Sequence, residues 1–187
     1  MSNNAINPEK GNKKFLNKLE SMKIDVHACF QCGRCSSGCP VSDFFDLQVM
    51  EVVRLASYGM EDILLKSKTI WLCAACETCA TRCPNDIEIV ALMDVLRSLA
   101  LKKGVTPAQP RIPIFHRSFL DSVKNWGRTY EVGMIAGYKL RSGDLMGDIK
   151  LGLDMFRKGR LGILPHTIKE KTEIRAIFSG KGKEYDR

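Results

Sequence analysis

No stretch of the 187-residue chain reaches the ~18 uncharged apolar residues that a membrane-spanning helix needs. The most apolar segment, residues 87–101, is interrupted by Glu88, Asp94 and Arg97. The N-terminus, MSNNAINPEKGNKK, is polar and has no apolar h-region, so a secretory signal is not expected. These absences predict a soluble, cytoplasmic protein that takes no membrane partner. Histidine is scarce: His27, His116 and His166 are widely separated, and the last two have no paired acid or nucleophile nearby. No G-x-G-x-x-G follows a strand pattern and no Walker loop occurs, so this chain is not expected to bind flavin, nicotinamide or ATP. No catalytic set is readable, which places any bond chemistry on another chain. Finally, there is no cysteine outside two short stretches.

Those two stretches hold all eight cysteines. One reads Cys29-x-x-Cys32-x-x-Cys35-x-x-x-Cys39-Pro40, the other Cys73-x-x-Cys76-x-x-Cys79-x-x-x-Cys83-Pro84. This spacing wraps a cubane [4Fe–4S] cluster, and two copies predict two clusters. Three cysteines spaced by two residues reach three corners of a cubane. The fourth, just before proline, faces away and ligates the other cluster in two-cluster proteins. The expected sets are therefore Cys29, Cys32, Cys35 and Cys83 for one cluster, and Cys73, Cys76, Cys79 and Cys39 for the second. Small residues in the loops (Gly33, Gly38, Ala74, Ala75 and Ala80) let backbone approach the sulfurs. Pro40 and Pro84 fix φ and turn the chain out of each loop.

Paired C-x-x-C units also bind zinc. A zinc site leaves the third, evenly spaced cysteine and the Cys-Pro ending without a purpose. Disulfides are disfavoured by the lack of a secretory signal, which implies a reducing compartment. Two clusters in one small chain read as an electron wire that supplies position and potential rather than catalysis. The formal net charge of +8 is partly offset by thiolate-bound clusters. The remaining excess suits an acidic protein partner. The basic residues are dispersed and no helix-turn-helix or RNA-binding signature is present, so nucleic acid is not expected as a partner.

The pattern between the motifs is helical. Phe15, Leu16, Leu19 and Met22 predict a short amphipathic helix before the first motif. Thirty-three residues separate Cys39 from Cys73. Among them Phe45, Val49, Val52, Val53 and Ala56 share one helix face, with Ser42 as expected N-cap and Gly59 as stop. A second short helix is expected over 61–66. After the second motif, Ile89, Leu92, Met93, Leu96, Leu99 and Ala100 form the clearest apolar stripe. Asn85 and Glu88 are read as its capping box, and Gly104 as its end. Helices here take the place of the β-hairpins of a compact ferredoxin.

The predicted class is thus mainly α, an α-helical ferredoxin core with a helical C-terminal extension. The expected divisions are a lead-in over 1–24, a di-cluster domain over 25–104 and an extension over 105–187. In the extension, Phe115, Phe119, Val123 and Trp126 form one stripe, Tyr130, Met134, Ile135 and Tyr138 a weaker one, and Leu145, Ile149, Leu153 and Phe156 another. These faces suit packing on the core and docking of a partner equally. The last ten residues, FSGKGKEYDR, read as a tail. Trp71, close before Cys73, is expected to keep water from a cluster. His27 is read as an exposed side chain, with influence on a cluster as the alternative.

The stretches CFQCGRCSSGCP and CAACETCATRCP, the helical gap between them and the following NDIEIVALMDVLRSLALKKG resemble the C subunit of heterodisulfide reductase from methanogenic archaea. GRLGILPHTIK, residues 159–169, is similar to a late segment of the same family. The resemblance covers most of residues 25–170, and all eight family ligand positions are cysteine here. It implies an iron–sulfur protein passing electrons from a flavin-containing A subunit to the B subunit, which reduces the disulfide of coenzyme M and coenzyme B. It further implies that the flavin partner bifurcates electrons from hydrogen or formate, supplied by a hydrogenase or formate dehydrogenase module. The cysteine motifs alone are shared with many iron–sulfur proteins. A relay component of another heterodisulfide-reductase-like or dehydrogenase complex, and a zinc-binding interaction module, are the alternative readings.

Overall fold

A computed structural model describes residues 11–143, 154–155, 157–159, 165, 167–168 and 171–179. The stripe at Leu145, Ile149, Leu153 and Phe156, His166 and most of the expected tail lie outside the described residues. Every regular element among the described residues is helical. The chain divides into two compact units, Met1–Pro110 and Arg111–Arg187.

The first unit begins with α1, Lys13–Ser21, which buries Phe15 and Leu19. The Asn12 side chain caps it, accepting from the backbone N–H groups of Lys14 and Phe15. Met22, grouped with the apolar stripe by periodicity, is the C-cap residue and half exposed. A 3-10 turn, Val26–Ala28, leads into the first cysteine loop, which contains the short α2, Arg34–Ser37.

Between the loops stand α3 (Val49–Ser57), α4 (Glu61–Lys66) and α5 (Thr69–Leu72). The helix expected to be capped at Ser42 is capped six residues later, at Gln48. A 3-10 turn occupies Ser42–Phe44, and α3 is capped by Gln48 and Glu51 in a reciprocal box. The backbone is diverted by Asp46. Its carboxylate accepts from Ser67 Oγ at 2.6 Å, Lys68 N at 2.9 Å, Thr69 N at 3.0 Å and Thr69 Oγ1 at 2.8 Å. Four donors on one carboxylate hold residue 46 against the start of α5 and keep Phe45 out of the helix.

Gly59 ends the segment as expected, with φ +68°. It also receives α1: Asn12 N donates to Gly59 O at 2.9 Å, and a Cβ at Gly59 would stand 2.8 Å from Asn12 N. Glu61, 4% exposed, accepts from the Asn12 side-chain amide and pairs with Lys103 Nζ at 2.7 Å. Lys103 directly follows α7, Ile89–Lys102, so one carboxylate ties α1 and α4 to the end of that helix.

The second cysteine loop contains α6, Thr78–Thr81, and leads into α7. The six residues of the predicted α7 stripe are all buried, and with Val52, Val53, Leu64, Leu65 and Ile70 they form the core. Lys102 in the last turn and Gly104 beyond it close the helix, as the sequence predicts. The start differs. Glu88 is the N-cap residue without a side-chain cap, and Asn85 donates instead to the carbonyl of Ala28, pinning the second loop to the first.

The second unit contains α8 (Arg111–Trp126), α9 (Glu131–Ser142) and α10 (Lys171–Phe178). Its helix packing is more polar than the aromatic stripe implies. Ser118 and Ser122 are the buried residues of α8, whereas Phe115 and Phe119 are 42% and 40% exposed. Arg141 on α9 pairs with Asp121 at 2.7 Å and donates to Ser118 Oγ, and Tyr130 N donates to Ser122 Oγ.

Candidate iron–sulfur site

The two cysteine loops are built alike. In each, the second residue after the first cysteine is left-handed: Gln31 at φ +57° and Ala75 at φ +52°. The residue after the second cysteine is left-handed too, Gly33 at φ +75° and Glu77 at φ +59°. These reversals make a tight loop that then enters one turn of helix bearing the third cysteine, Cys35 on α2 and Cys79 on α6. Left-handed backbone costs a non-glycine residue ~1–2 kcal/mol. Three non-glycines hold this conformation in the two loops, and such strain clusters at ligand-binding sites.

α2 packs against α6. Where they meet, Gly38 and Arg82, the residues before each fourth cysteine, lie in contact. A Cβ on Gly38 would stand 2.8 Å from Arg82 Cζ. The pair occupies one place by internal symmetry, so one member must be small to admit the other. This contact carries Cys39 toward the second loop and Cys83 toward the first.

The result is two cavities. One is lined by Cys29, Cys32, Cys35 and Cys83, with Met50, Val53, Ile87 and Ile89 as apolar wall. The other is lined by Cys39, Cys73, Cys76 and Cys79, with Phe45, Val49, Val90 and Met93. None of the eight cysteines is paired in a disulfide. Cys32 and Cys76 are exposed and the other six half-buried, so each cavity has one cysteine on its outer rim.

Burial pushes up the thiols of Cys35 and Cys73, and that of Cys79 to about 11. Hydrogen bonding at Ser36, Ala75 and Ala80 respectively opposes the rise. Exposed Cys76 goes the other way, lowered by hydrogen bonding to Thr78, whose Oγ1 lies 3.4 Å from its sulfur. A thiol binds metal as thiolate, so metal binding at such sites releases protons.

Other predicted residues take plainer positions. Trp71 is buried, 2% exposed, at the end of α5 that leads to Cys73. His27 is exposed and lines a separate surface hollow beside Lys23 and Ile24. Two residues escaped the sequence reading. Asp46 carries no local motif, since its partners lie more than twenty residues away. Arg97 sits on the buried side of α7, one turn after Met93, and that spacing was the available signal.

Residues 11–87 match the family described as a 4Fe-4S dicluster domain. The chain is similar to the C 2 iron–sulfur subunit of the CoB–CoM heterodisulfide reductase of Methanocaldococcus jannaschii, 33% identical over 66% of this chain and 67% of the relative. It is 34% identical to the C subunit of the H2:CoB–CoM heterodisulfide, ferredoxin reductase of Methanothermobacter marburgensis, over 57% of this chain and 60% of the relative. A longer relative, the C subunit of the ferredoxin:CoB–CoM heterodisulfide reductase of Methanosarcina acetivorans, is 33% identical over 50% of this chain and 36% of its own length. The chain thus spans only part of the relatives it matches. No helix among the described residues is long and apolar enough to cross a membrane.

Proposed function

The chain belongs to the family of C-type iron–sulfur subunits of heterodisulfide reductase, and on that premise we propose that it relays electrons from a flavin-containing A subunit to a disulfide-reducing B subunit. The likeness supports an iron–sulfur electron-transfer role. One observation carries the reading: each cavity is lined by three cysteines of one motif and the fourth of the other. Cys29, Cys32, Cys35 and Cys83 would hold one [4Fe–4S] cluster, and Cys73, Cys76, Cys79 and Cys39 the second. When bound, each cluster accepts and releases single electrons.

The residues fit that group. Four thiols surround each cavity, apolar side chains exclude water on the core side, and left-handed turns direct loop backbone around the thiols. The α2–α6 packing holds the two cavities side by side, and Cys35 acts electrostatically on Cys79 across them. Exposed Cys32 and Cys76 give each site one edge open to a partner. Substrate chemistry belongs to the partner chains, which a hydrogenase or formate dehydrogenase module would feed with electrons.

Because the chain spans 60% of the Methanothermobacter marburgensis relative, a relay component of another heterodisulfide-reductase-like complex is the second reading. Purification without oxygen tests both. Near eight iron and eight sulfide per chain, with two larger co-purifying chains that carry flavin and reduce the heterodisulfide, is the expected result. Different partners favour the second reading. Zinc without sulfide refutes both.

A further inference from the structure

α7 supplies part of the wall of the second cavity through Val90 and Met93. Arg97 follows them at i+7 and i+4, the spacings that place side chains on one helix face. Its side chain is 14% exposed. Nε and Nη2 are buried and have no hydrogen-bond partner. Asp94 Oδ1 lies 3.2 Å from Nη2, but without hydrogen-bond direction, and the Asp94 side chain is 65% exposed. A buried guanidinium with donors unmet is costly unless an anion nearby compensates it.

The packing around Arg97 leads to the second cavity. α5, which ends just before Cys73, packs against α7. Trp71 Nε1, on the same α5, is another buried N–H without a partner. The charged residues at the cavity rims, Arg34 at the first and Glu77 at the second, are exposed and so screened by solvent. Arg97, on the α7 face that follows Val90 and Met93, is by contrast largely buried.

We infer that Arg97 is a positioning residue for the second cofactor: its buried guanidinium offsets the charge of the cluster held by Cys39, Cys73, Cys76 and Cys79 and selectively raises that cluster's reduction potential. Reduction adds one electron from the donor chain and no proton, so the cluster becomes more negative and the fixed cation favours the reduced form. The inference rests on the two-cluster reading above.

The test is an EPR-monitored redox titration, without oxygen, of the full cluster-loaded chain as wild type, R97M and R97K. Methionine keeps the buried apolar stem and removes the charge, a replacement that folding tolerates. In R97M one midpoint should fall so that its reduction equilibrium weakens about tenfold, ~59 mV for one electron, while the other holds. R97K should keep both near wild type. Midpoints that stay put in R97M, or move together, overturn the inference. Should R97M not load, Asp94→Asn at its exposed position decides. Losing the opposing carboxylate should raise one midpoint alone, and no selective shift overturns the role. Wild-type chain without iron and sulfide ends the two-cluster reading itself, whereas loaded chain with unmoved midpoints ends only the role of Arg97.

Discussion

Replacing Asp46 by asparagine should loosen the second cysteine loop without touching a cysteine. Partial burial raises the cost of charge at Asp46. Hydrogen bonds from Ser67, Lys68 and Thr69 outweigh it and hold the carboxyl at about 2. Against an ordinary value of 3.8 that shift is worth at most ~2.4 kcal/mol, and solvent screening at this exposed residue reduces it to roughly 0.5–1 kcal/mol. Asparagine also turns an amide toward the Lys68 N–H, which leaves that donor unmet and adds ~0.5–1 kcal/mol. The total, ~1–2 kcal/mol, is a factor of about 5–30 in local opening. The opening is at α5, which delivers Cys73. Cluster release to an iron chelator, followed anaerobically by EPR, should therefore quicken about 5–30-fold for the second cluster and less for the first. The sign with pH is fixed. A depressed carboxyl stabilises above its unfolded value near 3.8 and loses the effect as pH falls through about 2. The difference between D46N and wild type should hence stay constant from about pH 8 to about pH 5. Equal release rates, or a difference that fades between about pH 7 and about pH 5, would refute the reasoning.

Three further outcomes follow from the geometry. Cys83→Ser should abolish the EPR signal of the cluster held with Cys29, Cys32 and Cys35 and spare the other, and loss of the other alone would reverse the assignment. Gly59→Ala adds left-handed strain and a clash with the backbone of Asn12, so thermal stability should drop by ~2–4 kcal/mol, measured from the cluster absorbance on heating. Glu77→Gly, by contrast, relieves left-handed strain of ~1–2 kcal/mol against an entropy cost of ~0.5–1 kcal/mol. It should slow release of the second cluster slightly, and faster release would show that the glutamate side chain itself holds the loop.

The sequence by itself determined whatever rests on residues close in the chain. The paired cysteine spacings lead to two similar loops, and the stripe from Ile89 to Ala100 yields the longest helix of the first unit with each apolar position buried. Gly59 and Gly104 end their segments because a left-handed residue is needed at each, a local requirement. Only the tertiary structure decided where distant partners override local pattern. Ser42 and Phe45 fit a helix by periodicity, yet Asp46 is claimed by donors at 67–69, too far along the chain for any local pattern to contain. Asn85 and Glu88 fit a capping box, yet the Asn85 amide reaches Ala28 in the other loop. Ser118 and Ser122 are the buried residues of α8, because Tyr130 and Arg141 from the next helix and its approach hydrogen-bond them, while Phe115 and Phe119 of the aromatic stripe stay exposed. Arg97 reads from sequence as an interruption of an apolar helix. In the fold it is largely buried, on the helix that packs against α5, because burial is set by what arrives from elsewhere in the chain.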